Sequence, residues 1–273
     1  MSLPILKTST AATPETLLRH FHRFQAKWSE HFSARTPLDF GTAWSSGEFN
    51  RVYIANRMLE VALPPQISPQ QAFDQANEHF ASQGSTCWKW TMNVSSPPEQ
   101  TEPMEKFLLE KNYRRETSDL MSLTRVSLPA ASAGAENLRI IPARSSFRHA
   151  RSIYEEENAH WNVSQIAEAK MLHLDDPHYD ALIALKDGLA IAHVGVFSMG
   201  EVGFIEDFYV SPTFRRHGIG TIMMCRAMEI CARSLFKHVL LRVLLDNDIA
   251  IALYKKFGFA KIGEFIEFQN PAT

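Results

Sequence analysis

Cysteine is scarce in this chain: Cys87, Cys225 and Cys231 are an odd set, with no CxxC pair and no metal-type spacing. That excludes a disulfide scaffold and fits a reducing compartment. No apolar run approaches the roughly 20 residues of a membrane span. The opening MSLPILKTST lacks a basic segment followed by an apolar core, so no signal peptide is expected. Charge of one sign is missing too. With a formal net charge of −2, no global basic field draws in nucleic acid or an anionic membrane. Any anion must be held locally. The expected setting is cytoplasmic, without nucleic-acid, membrane or metal partners.

What is present is ordinary for a globular protein, with 45% hydrophobic and 21% charged residues. Domains of about 100–200 residues allow one large or two moderate ones in this length. The stretch LPAASAGAE, broken by Pro129 and Gly134, reads as a linker. The expected division is residues 1–127, a linker 128–136, and residues 137–273.

The second half alternates between periods. Strand-like segments at 138–141, 179–185, 189–197 and 202–210 are joined by turn residues such as Lys186-Asp187-Gly188. Helical spacing predicts helices over 147–157 and 161–171, and again over 218–234, where Ile219, Ile222, Met223, Ala227 and Ile230 share a side. A strand over 238–245, an N-cap at Asp246-Asn247-Asp248, a helix over 249–257 and a strand over 259–268 complete the order. This predicts a mixed α/β domain with a mostly antiparallel sheet and a central βαβ crossover. The first half is less legible: helices over 15–31, 69–82 and 104–111, and strands over 51–61, 86–94 and 113–124.

The informative segment is FIEDFYVSPTFRRHGIG, Phe204 to Gly220. A strand ends at a proline loop that feeds a helix through Arg215-Arg216-His217-Gly218-Ile219-Gly220. The first amides of a helix lack internal partners and carry the positive end of its dipole. Gly218 and Gly220 keep Cβ atoms away from that end, and Arg215 and Arg216 add forked donors suited to phosphate oxygens. A pyrophosphate is the natural occupant. A basic surface turn and a dinucleotide loop are the alternatives, the second weakened because Met223 stands where GxGxxG needs its third glycine.

Arg215-x-x-Gly218-x-Gly220, the preceding IEDFYVSP, and Asn247-x-x-Ala250-x-x-Leu253-Tyr254 with Lys256-Phe257-Gly258-Phe259 together resemble the GNAT N-acetyltransferases over residues 138–268. The resemblance implies the acyl-CoA N-acyltransferase fold, with acetyl-CoA as co-substrate and an amine of a small molecule or peptide as acceptor. It implies that Phe208, Tyr209 and Val210 pair through their backbones with the pantetheine arm at a splayed strand. Backbone amides of Arg215, Arg216, His217, Gly218, Ile219, Gly220 and Thr221 would hold the pyrophosphate, and Asn247 would contact the thiol end. Tyr254 would protonate the leaving thiolate. Glu206 would order or deprotonate the amine, with Asp207 its competitor on what alternation makes the opposite face.

Tyr254 otherwise reads as a ring packed on the sheet. His173, Asp175, Asp176 and His178 read as a solvated loop rather than a metal cluster. Asn158, His160 and Trp161 fall where the family builds its acceptor pocket, and read equally well as packing. Matching Lys111-Asn112-Tyr113 to Phe257-Gly258-Phe259 lays the first half over the second, with Leu108 in the place of Tyr254. The first half is therefore expected to be a degenerate GNAT-like copy in tandem, or an unrelated α/β domain, in either case lacking the coenzyme loop and used to wall the acceptor cleft or to form a homodimer. A CoA-binding regulatory module without turnover, or transfer of another acyl group or to another acceptor, remains open at this point.

Overall fold

The computed structural model describes residues 12–127, 137–161 and 163–271, so the expected linker 128–136 lies outside the described residues. In chain order the structure runs through α1 (Pro14–Ser29), β1 (Ala34–Leu38), β2 (Gly41–Ser45), β3 (Arg57–Val61), α2 (Pro69–Ser82), β4 (Lys89–Met92), α3 (Pro98–Glu110) and β5 (Arg114–Leu123). It continues through β6 (Leu138–Pro142), α4 (Phe147–Asn158), α5 (Gln165–Leu172), β7 (Tyr179–Lys186), β8 (Leu189–Met199) and β9 (Val202–Val210). It ends with α6 (Ile219–Arg233), β10 (His238–Leu244), α7 (Asp248–Phe257) and β11 (Phe259–Gln269). The chain divides into two compact units, Met1–Leu17 with Asp119–Gly263, and Leu18–Ser118 with Glu264–Thr273.

In the unit built on Leu18–Ser118 the strands lie in the order β1-β2-β3-β4-β11. β3 and β4 are parallel, which requires the crossover that α2 supplies. The expected strand over 51–61 shrinks to β3, because residues 51–56 turn around Asn56, whose amide donates to the carbonyls of Phe49 and Val52. Buried Trp90, Phe80, Phe40 and Met104 are among the core residues. α2 is closed at its start by a capping box: the Ser68 hydroxyl accepts from Gln71 N, and the Gln71 carboxamide accepts from Ser68 N.

A titratable group is buried elsewhere in this unit, against Phe265. His22 is 5% exposed, and burial pushes its imidazole down to about 4 from 6.5, with Glu267 opposing and Arg57 reinforcing the shift. The folded protein thus keeps His22 neutral while the unfolded chain takes up a proton near pH 6.5. Stability is complete above that pH and falls as pH drops toward 4, by an amount on the order of 3 kcal/mol. Thermal melts at pH 7 and pH 4.5 should show that loss, and His22→Leu should flatten it.

In the other unit β10, β9, β8, β7 and β6 are successive neighbours, with β5 on the far side of β10. β6 to β9 are antiparallel, and β9 and β10 are parallel across α6. β8, LAIAHVGVFSM, is apolar almost throughout because helices cover both its faces. Ala192, Val194 and Val196 pack in one core with Met223, Met224 and Ala227 of α6, while His193 meets Tyr154 of α4 on the other face. The helix expected over 161–171 is shorter, since a 3-10 turn at Ala159–Trp161 precedes α5.

The two units repeat one plan: parallel strands joined by a helix, then a helix running into a strand. The paired junctions agree in backbone detail, for Asn112 (φ 63°) and Gly258 (φ 96°) both take the left-handed conformation between helix and strand.

Candidate active site

The antiparallel register of β8 and β9 pairs His193 with Tyr209 but Gly195 with Glu206. Val194 therefore faces two residues, Asp207 and Phe208, which is a β-bulge. Asp207 carries it, with a left-handed φ of 51°. The bulge corrects the expectation that Glu206 and Asp207 occupy opposite faces. Ile205 and Phe208 both join the α6 core, so the two carboxylates fall together between them, off that face.

Beyond the bulge β9 also parts from β10. Their parallel register runs only from His238↔Val202 to Leu241↔Ile205, although the strands continue to Val210 and Leu244. This is a splay, opening at Glu206. Tyr254 of α7 is 6% exposed within the α6 core, its ring 6.2 Å from Phe208 and 6.3 Å from Phe259. Burial pushes its phenol above the ordinary value of 10, and the Glu206 carboxylate adds to the rise. Glu206 also bears on the Tyr179 phenol, which burial and Asp207 raise further. Glu206 thus sits within electrostatic reach of both phenols. The expected packing of the Tyr254 ring on the sheet is thus observed.

Downstream, a 3-10 turn at Pro212–Phe214 leads to Arg216 (φ 67°) and Gly218 (φ 78°). Gly218 is the N-cap of α6, so no cap side chain covers the first-turn amides. The donor set suits a diphosphate. Arg215, however, turns back: its Nε donates to the Val210 carbonyl at 2.9 Å and its guanidinium lies 5.8 Å from the Tyr209 ring centre. His217 Nδ1 is 2.8 Å from the Arg215 carbonyl. The two glycines differ in their reasons. Gly218 needs its backbone conformation, whereas a Cβ on Gly220 would point inward, 3.6 Å from Leu253 and 3.8 Å from Phe208, an ordinary contact. Gly218→Ala should therefore cost about 1–2 kcal/mol of stability, while Gly220→Ala should cost little. Thermal melts of the two variants separate them.

Asn247 caps α7, its carboxamide oxygen accepting from Ala250 N at 3.1 Å, which leaves the amide nitrogen for other partners. Asn158 is buried and donates to the Tyr154 carbonyl at 2.8 Å; it also lines a cavity of about 230 Å³ with Glu155, Val163 and Ser164. His160 and Trp161 lean on each other, ring centres 5.0 Å apart. The expected solvated loop at 173–178 is instead a 3-10 turn with His173 buried, and Asp176 accepts from the His178 amide at 2.7 Å.

Beside the bulge lies a polar set that the sequence pattern does not mark. Lys170 of α5 lies 2.8 Å from Asp207 and 2.6 Å from Glu157. His193 Nε2 is 3.2 Å from Glu157, and the Tyr179 hydroxyl donates to Asp207 at 3.1 Å. Burial would raise the Glu157 carboxyl, but Lys170 and His193 outweigh it and hold it below the carboxylate range. Gly195 makes room for this set, since a Cβ there would lie 2.1 Å from the Tyr179 hydroxyl oxygen. One signal was available: a lone histidine within the doubly covered β8 needs a polar partner.

Residues 145–259 match the Acetyltransferase (GNAT) family. An aminoglycoside N(6')-acetyltransferase type 1 of Acinetobacter haemolyticus is 29% identical over 128 residues, covering 42% of this chain and 88% of that protein. The Mycobacterium tuberculosis N-alpha-acetyltransferase RimI is 28% identical over 94 residues, 33% of this chain and 58% of that protein. A Bacillus subtilis relative, 28% identical, is likewise matched over only 56% of its length. Among solved structures, a tandem GNAT protein of the clavulanic acid biosynthesis pathway superposes with a TM-score of 0.55 at 15% identity, over 91% of this chain and 87% of its own. At that identity the likeness is one of fold. Residues 145–259 thus resemble the GNAT acetyltransferases in sequence, and the chain shares the fold of a tandem GNAT protein.

Proposed function

We propose that residues 137–273 transfer an acetyl group from acetyl-CoA directly to a primary amine of a small molecule or peptide, both bound together. The observation that carries this reading is the bulge at Asp207 and the splay of β9 from β10 that opens at Glu206, whose carboxylate bears on the buried Tyr254 phenol. An alkylamine with a pKa of about 10.4 is protonated at neutral pH and cannot attack a thioester. Glu206 takes that proton, directly or through water. The amine nitrogen then bonds to the carbonyl carbon, the C–S bond breaks, and Tyr254 donates to the departing sulfur. Backbone groups of Phe208, Tyr209 and Val210 receive the pantetheine arm, with the Val210 carbonyl already engaged by Arg215. Amides between Arg215 and Thr221 take the pyrophosphate, and the Asn247 amide nitrogen reaches the thiol end.

The relatives' named activities, on an aminoglycoside and on an N-alpha position, favour an amine acceptor. Free thiols at Cys87, Cys225 and Cys231 fit a cytoplasmic setting. The first half is a copy that has lost the cofactor site. In support, α2 is capped by Ser68 and Gln71 where α6 has a glycine, and Leu108 stands for Tyr254.

Coenzyme A at 100 times its dissociation constant should stabilise the protein by about 2.7 kcal/mol. A melt that does not move at saturating coenzyme would remove the basis of this reading.

A further inference from the structure

The sheet face under α4 and α5 could have been wholly apolar, yet a buried ammonium and two partly buried carboxylates lie there. The Lys170 side chain is 9% exposed, Asp207 13% and Glu157 20%. Such a cluster is a poor device for stability, because desolvation consumes most of what the ion pairs return. Its contacts converge on one residue instead. Asp207 Oδ1 is held by Lys170 at 2.8 Å and Oδ2 by the Tyr179 hydroxyl at 3.1 Å. Asp207 is also the residue whose left-handed backbone makes the bulge, a conformation that aspartate enters more readily than most L-residues when its side chain is hydrogen-bonded, as it is here. Glu157 ties the same ammonium to His193, which pairs with Tyr209 at the other end of the bulge. The clamp therefore grips both strands.

We propose that Lys170 is a positioning residue for acetyl transfer, acting through Asp207 to lock the β9 bulge in the form that presents Glu206 to Tyr254. This rests on Glu206 being the base. The Glu206 carboxylate bears electrostatically on Tyr254 of α7 and Tyr179 of β7, beside Asp207 on β9, with Lys170 of α5, Glu157 and Tyr154 of α4 and His193 of β8 around Asp207.

Lys170→Met in the full chain tests it. Amine turnover should fall about 10²-fold through misplacement of the base. The acidic limb of the pH–rate profile should also move up, since without the ammonium the clamp carries uncompensated negative charge beside Glu206. Lys170→Arg keeps the charge and should return the limb to its place. A loss of rate with an unmoved limb, or one no greater than the loss of folded protein, would overturn the clamp. A crystal structure of Lys170→Met decides it independently of activity: Asp207 should leave the left-handed region, and an unchanged backbone over 206–208 would refute it. Should the single variant fail to fold, Lys170→Met with Asp207→Asn removes the charge imbalance, and its backbone is judged in the same way. If the wild type transfers no acetyl group, the base assignment fails, and the crystal structure still decides the clamp.

Discussion

Glu206→Gln is expected to lower turnover with an alkylamine by about 10²–10⁴-fold, the usual worth of a positioned acid–base group, while coenzyme A binding stays as in the wild type. The substitution keeps volume and removes only the capacity to accept a proton. Its neighbours bound the effect. Asp207 cannot take over, because both of its oxygens are already committed, to Lys170 and Tyr179. The loss should shrink for acceptors of lower amine pKa, since these arrive already deprotonated. Initial rates across amines of graded basicity check this. A uniform loss would mean that Glu206 binds the acceptor rather than deprotonating it.

Tyr254→Phe is expected to cost about 10²-fold in turnover and to leave affinity for the coenzyme nearly unchanged. Phenylalanine keeps the packing on Phe208 and Phe259, so the fold is spared. The pH dependence has a definite sign. Burial and Glu206 raise the phenol above 10, so the wild-type acid holds its proton throughout neutral and mildly alkaline pH. Its rate should show no alkaline fall below about pH 10 from this group. A thioester with a more acidic thiol leaving group should recover part of the lost rate. Comparing acetyl-CoA with an activated aryl thioester in the variant measures that recovery; equal losses with both would deny the phenol its role.

Much of this architecture is written in local chemistry. The αβ alternation after residue 137, the Gly218 entrance to α6 and the Asn247 cap of α7 follow from residues within a few positions of one another, and each is where the sequence puts it. The bulge is not legible in the same way. IEDFYV has the alternation of a regular strand, and the extra residue is set by pairing with His193 and Gly195 on β8. Lys170 is hidden for a related reason: QIAEAKML gives no sign that its lysine points inward, since the partners that keep it there lie on other elements, Glu157 on α4 and Asp207 on β9. The first half defeated the reading at β1 and β2, where ARTPL and GTAWS lack the β-branched runs that mark a strand. Its agreement with the second half shows best in backbone, at Asn112 and Gly258.

The most direct test follows free thiol and acetylated product together when acetyl-CoA is mixed with a panel of primary amines. The account predicts one thiol released per amine acetylated, with none released in the absence of an amine. Tight binding of the coenzyme without acetylation of any amine, or thiol release without an acetylated amine, would contradict it.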